Sequence, residues 1–267
     1  MKTWLFIVIQ ACCTHVFAQP KFNTGEPFAL GNISSVGNDY AWFGSANAAN
    51  LSQVKSHNIQ FHQVIPYGIV QLSTSELIAY TSINNHSGIA IQFAQNGFGL
   101  IEHNKYGIAY GLLITQQFSG GIKLNYHRWR QGEQYPSFQT ISPELGLSFQ
   151  LNKNTVIGSQ VMLNISNKHE FESQLEAFNI GVKYKLDKQI NLYSQITSTE
   201  VSQQVSMGMS YQIKEVLHIM LATGINPSLF SLGITYHKNP NWSLLIASQW
   251  QSTIGISPSI GFLYHWK

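Results

Sequence analysis

Val205-Ser206-Met207-Gly208-Met209-Ser210-Tyr211-Gln212-Ile213 decides the fold. Odd positions are apolar and even positions are small or polar. That period of two belongs to a β-strand with one apolar face and one polar face. Phe230-Ser231-Leu232-Gly233-Ile234-Thr235-Tyr236-His237 repeats it. The end of the chain, from Ile256 to Trp266, repeats it again, with Leu263 alone out of phase. Working outward from these stretches, the pattern predicts fourteen strands, at 57–65, 75–83, 86–95, 104–115, 118–129, 138–150, 154–164, 175–186, 189–198, 203–213, 216–225, 229–238, 241–250 and 256–266. Their lengths suit strands crossing a bilayer at a tilt, which takes roughly 9–11 residues.

Composition narrows the class. Charged residues make up 10% of the 267, against about 25% in an average soluble domain. With 12% aromatics, the chain lacks the charge-rich, aromatic-poor signature of disorder. It also lacks the Glu/Lys-rich outer faces of a helical bundle. After residue 18 no apolar run approaches the roughly 20 residues of a membrane-spanning helix. A chain of this kind enters a membrane only as a closed all-β barrel, the other structure that satisfies its backbone in lipid.

The connections support that reading. Even-to-odd links are tight: Asn84-Asn85, Gln116-Gln117, Leu151-Asn152-Lys153, Asp187-Lys188, Lys214-Glu215 and Asn239-Pro240. Odd-to-even links at 66–74, 96–103, 130–137 and 165–174 are longer, and three later ones are short. In outer-membrane barrels the short turns are periplasmic, so both termini are expected there. Tyr67, Tyr106, Tyr126, Trp129, Tyr184, Tyr211, Tyr236, Trp242, Trp250, Tyr264 and Trp266 fall near strand ends, where outward-facing aromatics form interfacial girdles.

Residues 1–18 read as a signal peptide: Lys2, an apolar core from Trp4 to Ile9, and Val16-Phe17-Ala18 as the cleavage site. Ile9-Gln10-Ala11-Cys12 is a loose lipoprotein box, so lipidation of Cys12 stands as the alternative. Both cysteines, Cys12 and Cys13, lie in this segment, so cleavage leaves no thiol and no disulfide. Residues 19–56 have no period of two and read as a partly helical plug segment. Within it Trp42, Phe43 and Leu51 are the packing candidates, and 31–56 is expected to dock at the periplasmic mouth. Residues 57–267 form the barrel.

The inward phase contains Lys123, His127, Glu144, Lys183, His218 and His237, the candidates for lumen-lining side chains. His62, Lys185 and His265 share that phase. Charges of both signs inside a barrel read as a closed ion-pair network, and the histidines as neutral polar filler. No two histidines sit at i, i+2 on one strand face, so no metal site is expected. There is no nucleophile elbow, no H-E-x-x-H and no P-loop. We therefore expect no catalytic residues and no cofactor. A net charge of +3, thinly spread, excludes a nucleic-acid partner. Outward Ile234 is expected to tolerate arginine worse than inward Thr235.

Asp39-Tyr40-Ala41-Trp42-Phe43, followed by Asn47-Ala48-Ala49-Asn50-Leu51, resembles the N-terminal segment of FadL-like outer-membrane barrels, in particular the PorV/PorQ-type branch. The stretches 105–111, 118–126 and 224–233 are similar to that family as well. The resemblance implies a fourteen-stranded barrel with an N-terminal plug, in contact with outer-membrane lipid. It also implies one of two roles. The first is a non-enzymatic docking subunit of a type IX secretion-like envelope complex, with other envelope proteins as partners. The alternative is a channel for small or hydrophobic solutes. The sequence names neither the solute nor the oligomeric state.

Overall fold

The computed structural model describes residues 24–37, 47–99, 101–132, 137–166, 173–214, 216–239 and 241–266. Trp42, Phe43, Cys12 and the expected cleavage site lie outside them. The chain forms one closed antiparallel barrel of fourteen strands, each paired with its neighbours in sequence, with β1 sealed against β14. The strands are β1 (His57–Val64), β2 (Thr74–Asn84), β3 (Ser87–Asn96), β4 (Ile101–Leu113), β5 (Phe118–Gln131), β6 (Phe138–Gln150), β7 (Thr155–Ser166), β8 (Ser173–Lys185), β9 (Ile190–Ser198), β10 (Gln203–Ile213), β11 (Leu217–Ile225), β12 (Leu229–Asn239), β13 (Trp242–Gln251) and β14 (Gly255–Trp266). Several extend beyond the expected boundaries. β4 starts at Ile101 and β5 runs to Gln131, so the two rims differ less in loop length than the sequence implies.

Side-chain alternation explains the wall. Met207, Met209 and Tyr211 are exposed on the outside, whereas Ser206 and Ser210 are buried inside. An outer surface this apolar is matched to hydrocarbon. Aromatics mark its edges. Trp242, Tyr264 and Trp266 stack in sequence near the short turns, at 4.6 and 5.7 Å between centroids. Phe93, Tyr106 and Tyr126 form a chain toward the other rim, at 5.2 and 6.1 Å. Trp129 departs from the expected girdle. It alternates with inward Lys123 and Asn125, is half-buried, and stacks on His103 at 3.4 Å.

Five of the six short turns share one device. The oxygen of Asn84, Thr115, Asn152, Asp187 or Asn239 accepts backbone N–H groups two or three residues on, at 2.7–3.3 Å. These are the side chains that cap tight turns. One seam of the wall has a short gap in its pairing. Pairing between β6 and β7 skips from Ile141↔Ile165 to Glu144↔Met162. Pro143 has no N–H to give to the ladder. Ser142 Oγ instead donates to the Leu163 carbonyl at 2.7 Å.

The core lies inside the barrel. Residues 24–37 and 47–52 pass through its interior, deeper than the mouth where the sequence places them. The segment forms a short helix, α1 (Gly25–Ala29), and a 3₁₀ helix (Ala48–Gln53). Phe28, Ala29, Leu30, Ile33 and Val36 pack on Val64, Tyr193, Met220, Leu245, Ala247 and Leu263. Leu51 and Ala48 pack on Ile78, Tyr80, Ala90 and Ala109. Leu263, out of phase in sequence, therefore belongs to the inner seat. Thr235 is fully buried in the same wall, paired with His218 and Leu245. An arginine there would overpack the interior, so Thr235 is not the tolerant position expected.

Candidate functional site: the barrel interior

Two inner features hold the N-terminal segment. The first is a belt of glycines. Gly88, Gly111, Gly121 and Gly146 are directly paired neighbours across β3, β4, β5 and β6. Gly158 and Gly181 are paired across β7 and β8. A Cβ at 111 or 121 would overlap the backbone around Ala48, one at 146 would strike Asn47, and one at 158 or 181 would strike Ser35. The strands lack side chains where the segment's backbone lies against them. Asn47 fixes the contact, with Nδ2 donating to the Ser35, Leu147 and Ser159 carbonyls at 3.0, 2.9 and 2.9 Å. Gln195 Oε1 accepts from both backbone N–H groups of Ser34 and Ser35, at 2.9 Å each.

The second feature is one pairing row that runs through Thr140, His127, Lys105, Ala94, Glu76, His62, Gly261, Leu245, Thr235 and His218. Three consecutive segment residues meet it. Thr24 Oγ1 donates to Glu76 Oε2. Gly25 lies so close to His62 that a Cβ would be 2.9 Å from its ring. Glu26 Oε1 is 3.6 Å from His218 Nδ1, both side chains buried. Glu76 is the third residue of β2, so the segment reaches toward the long-loop end.

The predicted lumen residues divide between these surroundings. Lys123 Nζ and Glu144 Oε1 are 3.8 Å apart and buried. Asn125 and Gln160 also donate to the Glu144 carboxylate. Because a buried carboxylate needs such partners, the pair is part of a wider polar network. Lys183 is buried on β8, two strands along from Glu144. His127 Nδ1 and His103 Nε2 are 2.8 Å apart on β5 and β4, half-buried and buried respectively. His237 Nδ1 lies 2.7 Å from Ser243 Oγ. Among the described residues, no three metal-ligating side chains converge. Leu51 is buried in the segment's seat.

Sequence reasoning missed Glu76, Gln92, Lys105 and Gln160, although their parity is inward. It missed the glycine belt because that belt exists only through strand register.

At the long-loop rim the surface is apolar without being part of the wall. Ile69, Val70 and Leu72 from the β1–β2 loop and Phe98 from the β3–β4 loop are exposed. Inward-phase Ile101 is exposed beside them at the start of β4. The loops are tied together by Gly97 N–H donating to the Ser73 carbonyl at 2.9 Å. Tyr67 anchors the first loop to β14 and β13. Its N–H donates to Ser257 Oγ at 2.9 Å and its hydroxyl to Gln251 at 3.3 Å. Burial pushes the Tyr67 phenol up from its ordinary value.

These features define a class: a fourteen-stranded barrel with its own N-terminal segment seated inside. Solved structures share the architecture. The CymD monoaromatic hydrocarbon channel superposes with a TM-score of 0.66 at 11% identity, covering 90% of this chain and 96% of that one. The P. putida toluene transporter TodX gives 0.64 at 10% identity, covering 90% and 97%. A Pseudomonas aeruginosa FadL homologue gives 0.57 at 9%, covering 92% and 97%. At such identities the likeness is one of fold. No family model and no curated protein matches the sequence. Two of these structures are described as a hydrocarbon channel and a toluene transporter, and the third as a FadL homologue. Nothing in the comparisons supports the PorV/PorQ-type branch or the type IX docking role that the sequence resemblance implied.

Proposed function

We propose that this protein is an outer-membrane channel for small hydrophobic solutes, with residues 24–37 and 47–52 forming an internal constriction. The observation that carries the reading is the seated segment inside a fourteen-stranded barrel, the fold shared with the hydrocarbon channels named above. The exposed Ile69, Val70, Leu72, Phe98 and Ile101 add to it. They give a hydrophobic solute its first contact outside the lipid belt, where exposed apolar patches usually mark a binding surface. The internal charges are paired or hydrogen-bonded, and the solute passes beside them.

The test is uptake of a radiolabelled monoaromatic hydrocarbon by cells with and without the protein. Expression should raise the initial rate several-fold. Gly121→Leu and Gly158→Leu, which displace the segment without touching the outer face, should raise planar-bilayer conductance. An unchanged uptake rate overturns the channel reading. Unchanged conductance in both glycine variants overturns the constriction.

A further inference from the structure

The two ends of the barrel differ in the residues just past the lipid-facing column of each strand. At the short-turn end, the outward columns of β2, β4, β6, β8 and β10 finish on Ile83, Ile114, Leu151, Leu186 and Ile213. All five are exposed aliphatics at or beside the turn itself. An exposed aliphatic at a hairpin tip is costly in water, so the hydrocarbon edge lies level with these turns. The girdle of Tyr184, Tyr211, Tyr236, Trp242, Tyr264 and Trp266 sits just within that edge.

Directly beyond the edge stand lysines, on one side of the barrel. Lys153, Lys188, Lys214 and Lys238 are exposed at four successive short hairpins, from β6–β7 to β12–β13. The β2–β3 and β4–β5 turns carry Asn84-Asn85-His86 and Thr115-Gln116-Gln117 instead. Among the described residues of these turns the acid is Asp187. Its carboxylate already accepts the Gln189 and Ile190 N–H groups at 2.7 Å. At the opposite rim Arg130 faces Glu102 at 3.9 Å, so its charge is partly met.

We propose that the four lysines form an arc that recognises the phosphates of anionic phospholipids in the leaflet at the short-turn end. The inference rests on the reading of the barrel as membrane-spanning. An outward apolar side chain near the tip, aliphatic before Lys153, Lys188 and Lys214 and Tyr236 before Lys238, with the ammonium one or two residues on, is a two-phase arrangement. A lysine stem lies along apolar surface while its head stays in the polar layer. A lipid offers hydrocarbon and anion at that spacing together, whereas an acidic soluble protein would leave the aliphatic ring wet. The arc covers one side, so it selects lipids around half the circumference.

The full-length protein would be refolded into vesicles of phosphatidylcholine containing a minority of phosphatidylglycerol. It would then be extracted gently, and the co-purifying lipids quantified. The wild type should enrich phosphatidylglycerol several-fold at low salt, with the enrichment falling as salt screens the exposed charges. A K153Q/K188Q/K214Q/K238Q variant should return the ratio to that of the bulk lipid while remaining heat-modifiable on gels. The corresponding four-arginine variant should keep the enrichment, as should R128Q/R130Q at the other rim. No enrichment by the wild type, full enrichment by the four-glutamine variant, or loss in R128Q/R130Q overturns the arc. Failure to insert into vesicles of either composition overturns the membrane-spanning reading beneath it.

Discussion

The two halves of the inner wall hold the same segment by different physics. From β9 round to β1, inward Tyr193, Met220, Leu245, Ala247, Leu263 and Val64 form an apolar shelf under α1. From β2 to β8 the wall is mostly polar, with Glu76, Gln92, Lys105, Lys123, Asn125, Glu144 and Gln160 buried, a small apolar seat for Leu51 at Ile78, Tyr80, Ala90 and Ala109, and glycines where the backbone must approach. The shelf grips by burial, worth about 25 cal/mol per Å² of apolar surface. It tolerates a shift of the helix. The polar half grips through oriented hydrogen bonds to Asn47 and the Ser34 hydroxyl, joined at the edge of the shelf by Gln195 of β9, which holds Ser34 and Ser35, and these fail when the register is lost. A segment that was merely greasy would slide in the barrel. One that was merely polar would gain little from leaving water.

The widest gap between the halves should appear at the ion pair. Lys123→Met strands the Glu144 carboxylate in a buried network, and breaking a buried pair costs about 3–5 kcal/mol. Lys123→Met with Glu144→Leu should recover most of that loss. Urea unfolding of refolded protein in detergent micelles measures both, and a double variant as unstable as the single would break the account of the polar half. On the apolar shelf, Leu245→Ala should cost about 2 kcal/mol, the low end for such a core change, because the neighbouring helix can settle into the space. A loss as large as that of the stranded carboxylate would show the shelf to be as rigid as the polar wall. Asn47→Ala should cost least, about 1–2 kcal/mol, by leaving three carbonyls without their donor. Its readout is faster protease cleavage within residues 24–56 while the barrel stays heat-modifiable. Unchanged cleavage would move the anchor to Gln195.

The wall itself was readable because side-chain alternation is local. β6 and β10 fall at the expected 138–150 and 203–213. Ile234 faces out and Thr235 faces in, as parity requires. Parity misled where two faces carry similar chemistry. Trp129 looked like a girdle residue, yet it lies on the inner side over His103. Parity also said nothing of what occupies the interior, so Thr235 looked like an open site although it is closed. Apolar residues at inward positions, Leu263 and Tyr80 among them, were the available sign that something packs within. As isolated exceptions they named no partner.

The sequence by itself determined that this chain is a fourteen-stranded antiparallel barrel with an apolar outer face and a polar inner one. A period of two and a turn-capping oxygen need no knowledge of distant residues. Only the tertiary structure decided what the interior is. Barrel closure fixes the register, and register alone sets Gly88, Gly111, Gly121 and Gly146 side by side on adjacent strands. It brings Lys123 to Glu144 and lines up Glu76, His62 and His218 in one row beneath Thr24, Gly25 and Glu26. These neighbours are separated by tens to nearly two hundred residues, and no local preference of the chain encodes which of them will meet.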